Sequence, residues 1–410
     1  MERSILHCDL NNFYASVALL DYPELRNKAV AVCGDKEERH GIVLAKNMSA
    51  KIRGVKTGEV IWQAKKKCPE LITVPPNFAR YSLFSNAARE IYSDYTDLLE
   101  PFGPDEAWID VTGSSLMGSG EEIAAKIRKR IRNELGLTIS VGVSFNKVFS
   151  KLGSDLKKPD ATSIISKNNF KNIVWGLPAN SMIGIGPAIN SQLHKMGIDT
   201  LGQLANSDEN LLKMRFGVKG KEIRQYALGH DNSPVSPIDF KRIPKSIGRS
   251  TTYKVDLDKY EDVWRVMLKL SEEVGSELRA NELAAYGVQI HLRTRDLTIK
   301  ELQIPLPFPT QLAFKIAKAG FQLFKQNYDF NLPLRSIGIR AINLQPFSSS
   351  TRQYFLFEDM KKEDRLETIE KQMDTLRQRF GKDCIKRGIL VGEYTSQNAE
   401  NKCPFTKFGI

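Results

Sequence analysis

Cysteine and histidine are sparse in this chain, and neither is grouped. The five cysteines (Cys8, Cys33, Cys68, Cys384, Cys403) lie far apart and form no C-x-x-C pair. That argues against a zinc ribbon and a disulfide framework, and it fits a reducing cytoplasm. His7, His40, His194, His230 and His291 are equally scattered and read as surface or packing residues, so any metal is expected on oxygen ligands. No apolar run approaches the ~18 residues of a membrane span. The opening Met-Glu-Arg-Ser-Ile-Leu has no apolar core of signal-peptide length, so neither a membrane protein nor an exported one is expected. Internal repeats and low-complexity tracts are missing too.

What is present is length and positive charge. At ~150 residues per domain, 410 residues predict two to four domains with ample cores. Hydrophobic residues at 41% and charged residues at 26% are those of an ordinary globular protein. The net charge of +12 favours a polyanionic partner, nucleic acid first, although a merely basic enzyme would show the same balance.

The first 160 residues alternate strand and helix. Ser4–Leu10 reads as a strand ending near Asp9, with Asn11 and Asn12 as caps for a helix from Phe13 to Leu20. Ala29–Cys33, Ile42–Ala45 and Leu71–Val74 read as strands, and Asn47–Arg53 and Val60–Lys67 as short helices. A long helical segment, Phe78 to Leu99, precedes a hairpin over Glu100–Asp110. This order predicts a layer of helices on one mixed or antiparallel sheet. Residues 168–233 are helical and punctuated by Gly, and Asn232–Lys245 reads as an exposed basic tether. Beyond it the pattern is β-α-β-β-α-β. Leu366, Ile369, Met373, Leu376 and Phe380 then mark one last amphipathic helix.

Asp9 at a strand end and Asp105-Glu106 in a hairpin are the strongest chemical signal. Sequence-distant carboxylates on neighbouring strands can converge into an oxygen site for Mg²⁺. Two such ions ~3.5–4 Å apart serve phosphoryl transfer. An Asp-Glu turn is also an ordinary solvated hairpin and Asp9 an ordinary cap, and spacing alone does not decide.

The surrounding residues do. Cys8-Asp9-Leu10-Asn11-Asn12-Phe13-Tyr14-Ala15-Ser16-Val17 resembles the opening motif of the Y-family, or translesion, DNA polymerases. Glu100-Pro101-Phe102-Gly103-Pro104-Asp105-Glu106-Ala107-Trp108-Ile109-Asp110 resembles their second carboxylate motif. Ser140-Val141-Gly142-Val143-Ser144-Phe145-Asn146-Lys147 through Asp155, with Lys157-Lys158-Pro159, resembles the third. The resemblance runs from residue 1 to about 345 and is nearest the bacterial polymerase IV branch.

The resemblance implies an α+β, multidomain, right-hand polymerase. The palm would be residues 1–11 and 76–167, the small fingers 12–75, and the helix-hairpin-helix thumb 168–233. A basic linker over 234–244, a little finger over 245–345 and a C-terminal tail over 346–410 would follow. It implies that Asp9, Asp105 and Glu106, with the Leu10 carbonyl, bind two Mg²⁺ ions. Asn12, Phe13, Tyr14, Lys51 and Lys158 would hold the incoming deoxynucleoside triphosphate, with Tyr14 as the steric gate against ribose. Without the motif, Phe13-Tyr14 would read as core packing.

Two residues depart from the family pattern. Met48 stands where Tyr is common and Lys51 where Arg is common, so a hydroxyl and a planar fork for the triphosphate are lost. Asn11 replaces a frequent acid, but the metal ligands do not depend on it.

Other segments bear on nucleic acid and partners. Gly184 and Gly186 lie in a Gly-Ile-Gly-Pro turn that can offer backbone N–H groups to a DNA phosphate, or can simply turn between helices. Arg249, Ser250, Thr251, Arg293 and Arg295 put cations and hydroxyls on the last domain's strands. Lys65-Lys66-Lys67 reads as a solvated helix face. Gln353-x-x-Leu356-Phe357 resembles the peptide by which bacterial polymerases dock on the sliding clamp, with an intramolecular contact as the alternative.

The resulting expectation is a cytoplasmic, nucleoid-associated, monomeric translesion DNA polymerase. It would extend a primer on a template by two-metal phosphoryl transfer, with low fidelity and no proofreading, in DNA damage tolerance. The rivals are a nucleotidyl cyclase with a palm-like domain and a DNA-binding accessory protein with a dead site.

Overall fold

In the computed structural model, residues 2–35, 39, 41–240, 242–347 and 360–391 are described. They fall into two compact units, the first holding residues up to 34 and 42–240, the second residues 242–347 and 360–391 together with the described residues of 35–41.

In the first unit, leucine and β-branched residues alternating with polar ones produce a five-stranded sheet. Its elements are β1 (Ile5–Leu10), α1 (Phe13–Asp21), β2 (Val30–Cys33), β3 (Val43–Lys46), α2 (Met48–Ile52), α3 (Ile61–Lys67), β4 (Ile72–Val74) and α4 (Phe78–Ser93). There follow β5 (Leu99–Pro101), β6 (Glu106–Asp110), α5 (Gly120–Leu135), β7 (Ile139–Ser144), α6 (Lys147–Leu156) and β8 (Thr162–Ile165). The large sheet runs β5-β6-β1-β7-β8. It is mixed: β1 is antiparallel to β6 and β7, and β7 is parallel to β8.

Alternation assigns the sheet's two faces. Leu6, Cys8 and Leu10 enter a core with Ile109, Val141, Val143 and the α4 and α5 helices. Helix α5 is set by a Ser119–Glu122 capping box and by Gly136 at φ +67, a left-handed stop that favours glycine. Its Ile123, Ile127 and Ile131 are fully buried, each contributing about 1.5–3 kcal/mol before entropy. The opposite face carries His7 and Asp9 and is covered by α6.

That covering helix comes unusually near. A Cβ on Gly142 would lie 1.9 Å from Ser150 O and 2.5 Å from Ser154 N, so only glycine lets α6 lie against β7. The close approach places Lys151 and Ser154 over β1.

The small sheet β3-β2-β4 has a separate core of Ala31, Cys33, Val43, Ala64 and Cys68. Asn47 caps α2 by accepting from Ala50 N, and it also accepts from Val30 N and donates to Lys28 O. One side chain thereby fixes α2 to β2. Helices α7 (Phe170–Val174), α8 (Pro187–Lys195), α9 (Leu201–Asn206), α10 (Glu209–Phe216) and α11 (Val218–Ala227) share a third core around Leu193, Leu204, Leu212 and Ile223.

Two local expectations are corrected. Asn12 does precede α1, but in a left-handed conformation with no side-chain cap bond; the Asn11 side chain instead donates to Ser140 Oγ and accepts from Asp160 N. The first half of the expected tether is pinned to the sheet. Val235 is buried beside Trp108, Ser236 N donates to Glu100 Oε2, and Ile238 N donates to Asp97 O.

The second unit has the expected β-α-β-β-α-β order: β9 (Ser246–Leu257), α12 (Tyr260–Ala280), β10 (Leu283–Thr294), β11 (Ile299–Thr310), α13 (Ala313–Asn327) and β12 (Leu334–Pro346). Its antiparallel sheet runs β11-β10-β12-β9, with α12 and α13 on one face. The last helix, α14 (Met360–Phe380), docks here in a way its pattern does not suggest. Arg279 of α12 donates to Glu370 and Asp374, and Glu272 accepts from Arg377 and Arg387. Ile369, Leu376 and Phe380 remain exposed. The helix is held by its charged face.

Candidate active site

The register of β1 against β6 builds the site. Asp9 lies directly opposite Glu106, and His7 opposite Trp108. Residues two apart on a strand share a face, so His7, Asp9, Glu106 and Trp108 form one polar patch. Asp105 enters at the head of β6, where its carbonyl accepts from Leu10 N. A ligand atom each from His7, Asp9 and Glu106 lies within 4.8 Å of the others.

The carboxylates do not share one environment. Burial first, then the charge of Glu106, pushes Asp9 up to about 6 against the pull of Lys158. Burial, then Asp9 and Glu106, pushes Asp105 up to about 7. Glu106 is also penalised by burial, but His7 and Lys151 outweigh that and hold it at about 2. Asp9 and Glu106, with Asp105 near enough to feel both charges but outside that 4.8 Å group, thus meet two ammonium groups, Lys158 on Asp9 and Lys151 on Glu106. A buried excess of negative charge with several free oxygen lone pairs is the donor chemistry of a hard divalent cation. The residues fit one.

Around the carboxylates, Phe13 is buried in the core at 3% exposure, while Tyr14 lies at the core's edge. Tyr14 stacks on Tyr81 with centroids 4.0 Å apart and rings 10° from parallel, and meets Phe78 edge-on. Lys158 donates to Asp9 Oδ2 and also pairs with Asp155. Lys51 is exposed on α2. Burial, then the charge of Lys51, lowers Lys46, so these two ammonium groups lie in one another's field.

The Gly-Ile-Gly turn has Gly184 at φ +88 and Gly186 as the cap of α8, preceded by a short turn at Ala179–Ser181 rather than a full helix. A Cβ on Gly184 would meet Lys219 Nζ at 2.8 Å, so the turn before α8 and the start of α11 are neighbours.

In the second unit, Arg249 and Thr251 pair across from Ile339 and Ile337 on the helix-covered face. There Arg249 bonds Glu277 and pairs with Glu273 of α12. Ser250 and Arg293 lie on the opposite face together with Arg340 and Gln289. Arg295 is exposed near Asp256. Gln353, Leu356 and Phe357 lie outside the described residues.

Sequence reasoning missed His7, Lys151, Lys46, Lys219 and Arg340. His7 had a signal: it is two residues from Asp9 on a strand and therefore on its face. Lys151 and Lys219 had none, because they arrive through tertiary packing.

Comparison with known proteins bears directly on this arrangement. Residues 8–155 match the impB/mucB/samB family, and residues 244–354 match the impB/mucB/samB family C-terminal domain. DNA polymerase IV of Acetivibrio thermocellus is 46% identical over 392 residues, covering 95% of this chain and 98% of that protein. DNA polymerase IV 1 of Bacillus subtilis is 36% identical over 406 residues, covering 99% of this chain and 96% of that protein. The solved structure of a Y-family DNA polymerase chimera superposes with TM-score 0.74 at 23% identity, over 84% of this chain and 99% of the chimera. No helix among the described residues is long and apolar enough to cross a membrane.

Proposed function

The chain belongs to the impB/mucB/samB family and is a DNA-directed DNA polymerase of the Y-family, polymerase IV branch; from that premise we propose that it extends a primer by two-metal phosphoryl transfer on damaged templates, with low fidelity and without proofreading. The observation that carries this is the register pairing Asp9 with Glu106, with Asp105 in the field of both.

Asp9, Asp105 and Glu106, with the Leu10 carbonyl, would hold two Mg²⁺ ions. Such ions supply activation of the primer 3′-hydroxyl and charge neutralisation on the departing pyrophosphate. Lys158 and Lys51 bring positive charge for the triphosphate, with Asn12 and Phe13 at the start of α1. Tyr14, braced by Tyr81, presents a fixed ring under the sugar, where a 2′-hydroxyl would collide. We assign the five-stranded sheet to the palm, residues 12–75 to the fingers, α7–α11 to the thumb, and the second unit through β12 to the little finger.

The neighbouring turns at Gly184–Gly186 and Lys219 suit a backbone phosphate. On the little finger, the open face with Ser250, Arg293 and Arg340 suits the duplex backbone better than Arg249, whose charge is already paired. The Gln353–Phe357 peptide would dock on a sliding clamp, and the protein would act as a cytoplasmic, nucleoid-associated monomer.

Primer extension with a matched and a lesion-bearing template tests the reading. Extension across both is expected. A cyclic nucleotide product would instead make it a cyclase, and binding without extension an accessory protein.

A further inference from the structure

His7 lies inside the patch yet belongs to none of the roles above. It is fully buried, its ring meets Trp108 edge-on at 5.2 Å, and Nδ1 lies 2.8 Å from Ser154 Oγ. Nε2 lies 3.3 Å from Glu106 Oε2, a contact short of a formed hydrogen bond, and has no other hydrogen-bond partner among the described residues. The same Glu106 oxygen takes Lys151 Nζ.

We propose that His7 is a positioning residue for Glu106: Ser154 donates to His7 Nδ1, His7 Nε2–H donates to Glu106 Oε2, and the other Glu106 oxygen is left to face the cation.

The tautomer follows from counting protons. The Ser154 hydroxyl has one hydrogen and two acceptors in reach, His7 Nδ1 and Lys151 O at 2.7 Å. Given to Lys151 O, it forces the imidazole proton onto Nδ1 and leaves a bare Nε2 lone pair against a carboxylate lone pair. Given to Nδ1, it places the imidazole proton on Nε2, toward Glu106. A hydrogen bond to an ionised carboxylate is roughly twice as strong as a neutral one, so the second arrangement wins. Lys151 O loses little, being a helix carbonyl with its own backbone donors within reach.

The geometry supports a positioning role over a packing one. Gly142 admits α6 close enough for Ser154 and Lys151 to reach the β1–β6 pair, and both converge on the His7–Glu106 contact. Groups that orient a metal-binding side chain typically change metal affinity 10–100-fold when removed.

This inference rests on the metal-site reading, and its test separates the two. In the full-length chain with ¹⁵N-labelled histidine, NMR is expected to show His7 protonated at Nε2 and bare at Nδ1; the opposite tautomer overturns the proposal. Mn²⁺ binding is then followed by electron paramagnetic resonance on primer–template with a non-hydrolysable nucleotide. His7→Leu is expected to weaken Mn²⁺ roughly 10–100-fold with primer–template affinity retained. His7→Gln, which can place an N–H near the Nε2 position, is expected to recover most of it. Wild-type Mn²⁺ affinity in His7→Leu, with loss in Asp105→Asn, overturns the role of His7 and leaves the metal site standing. Unchanged binding in both variants overturns both. Hyperfine coupling between Mn²⁺ and the His7 nitrogen would make His7 a ligand and also overturn the proposal. Should His7→Leu not fold, the tautomer alone decides.

Discussion

Lys158 Nζ lies 2.6 Å from Asp9 Oδ2, bridging 149 residues of chain. The same ammonium pairs with Asp155 at 2.7 Å. Burial opposes its charge, but Asp9 and Asp155 prevail and hold Lys158 above the ordinary lysine value. A residue expected only at the triphosphate is therefore also the counter-charge of Asp9, a proposed metal ligand.

Lys158→Met should accordingly do two things. Loss of a charge-assisted phosphate contact costs ~1.5–3 kcal/mol, so nucleotide KM should rise roughly tenfold to a hundredfold. Asp9, already raised to about 6 by burial, should rise further without the ammonium. The proposed metal site needs Asp9 ionised, so the acid limb of the pH–kcat/KM profile should move to higher pH. A KM change with an unmoved acid limb would confine Lys158 to the triphosphate.

Asp105 allows a stability test. Its folded-state value of about 7 is above that of an unfolded aspartate. The folded chain therefore binds the extra proton more tightly between about pH 4 and pH 7. Stability from this group is fully present below about pH 4, falls as pH rises from there, and is gone above about 7. In chelator, Asp105→Asn should stabilise the protein at pH 8 by about 1–3 kcal/mol, one pKa unit being worth about 1.4 kcal/mol, and by little at pH 4. Extension should be abolished with primer–template affinity retained. Urea melts at the two pH values check this; a variant less stable at pH 8 would contradict the cost of burying the Asp105 charge beside Asp9 and Glu106.

The stack of Tyr14 on Tyr81 would make the proposed gate a two-residue device. Tyr14→Ala should raise ribonucleotide incorporation, read as the ratio of kcat/KM for deoxy- and ribonucleotides. Tyr81→Leu should raise it by a smaller factor, because Tyr14 keeps its bulk but loses its brace. An unchanged ratio in Tyr14→Ala would return that ring to core packing.

Much of this was legible in the chain, and the exceptions share a cause. Strand and helix periods, the hairpin turn and the β-α-β-β-α-β order are local, so Ile5–Leu10 and the second unit's elements emerged with boundaries a few residues off. The carboxylates were legible because they sit in contiguous motifs. Lys151 and the pairing of Lys158 with Asp9 were not, because packing of α6 and the following turn creates them. Helix α14 misled in the other direction. Its apolar spacing is real, but Glu370, Asp374 and Arg377 found partners on α12, and a hydrophobic period says nothing about buried charges.

That docking yields a further test. The Arg279 and Glu370 side chains are 7% and 5% exposed, and removing one partner of a buried pair typically costs 3–5 kcal/mol. Arg279→Ala should free α14 and open it to proteolysis. A triple change, Arg279→Met with Glu370→Gln and Asp374→Asn, should recover much of the protection, since neither carboxylate is left without its cation and Arg387 keeps Glu272. Equal protection in all forms would show that the ion pairs contribute little to docking.

Helix α2 supplies the last prediction. Lys51 is exposed on α2 and has no ion-pair partner among the described residues. Burial first, then the Lys51 charge, lowers Lys46, whose ammonium donates to Thr57 Oγ1 at 2.9 Å. Two ammonium groups in one another's field repel, and a polyanion near both relieves the repulsion. With Met48 unable to donate a hydrogen bond, the triphosphate should rest on this pair and on Lys158. Lys51→Ala should then raise nucleotide KM roughly tenfold to a hundredfold, a charge-assisted contact being worth ~1.5–3 kcal/mol, with primer–template affinity little changed. Lys51→Arg should be tolerated or tighten binding, because its fork can meet two phosphate oxygens. Lys46→Ala should raise KM as well, and the double variant should lose less than the sum of the two, since each single change also removes the repulsion felt by the other. If Lys51→Ala instead left nucleotide KM alone and weakened primer–template binding, α2 would belong to the template surface and the triphosphate assignment would fail.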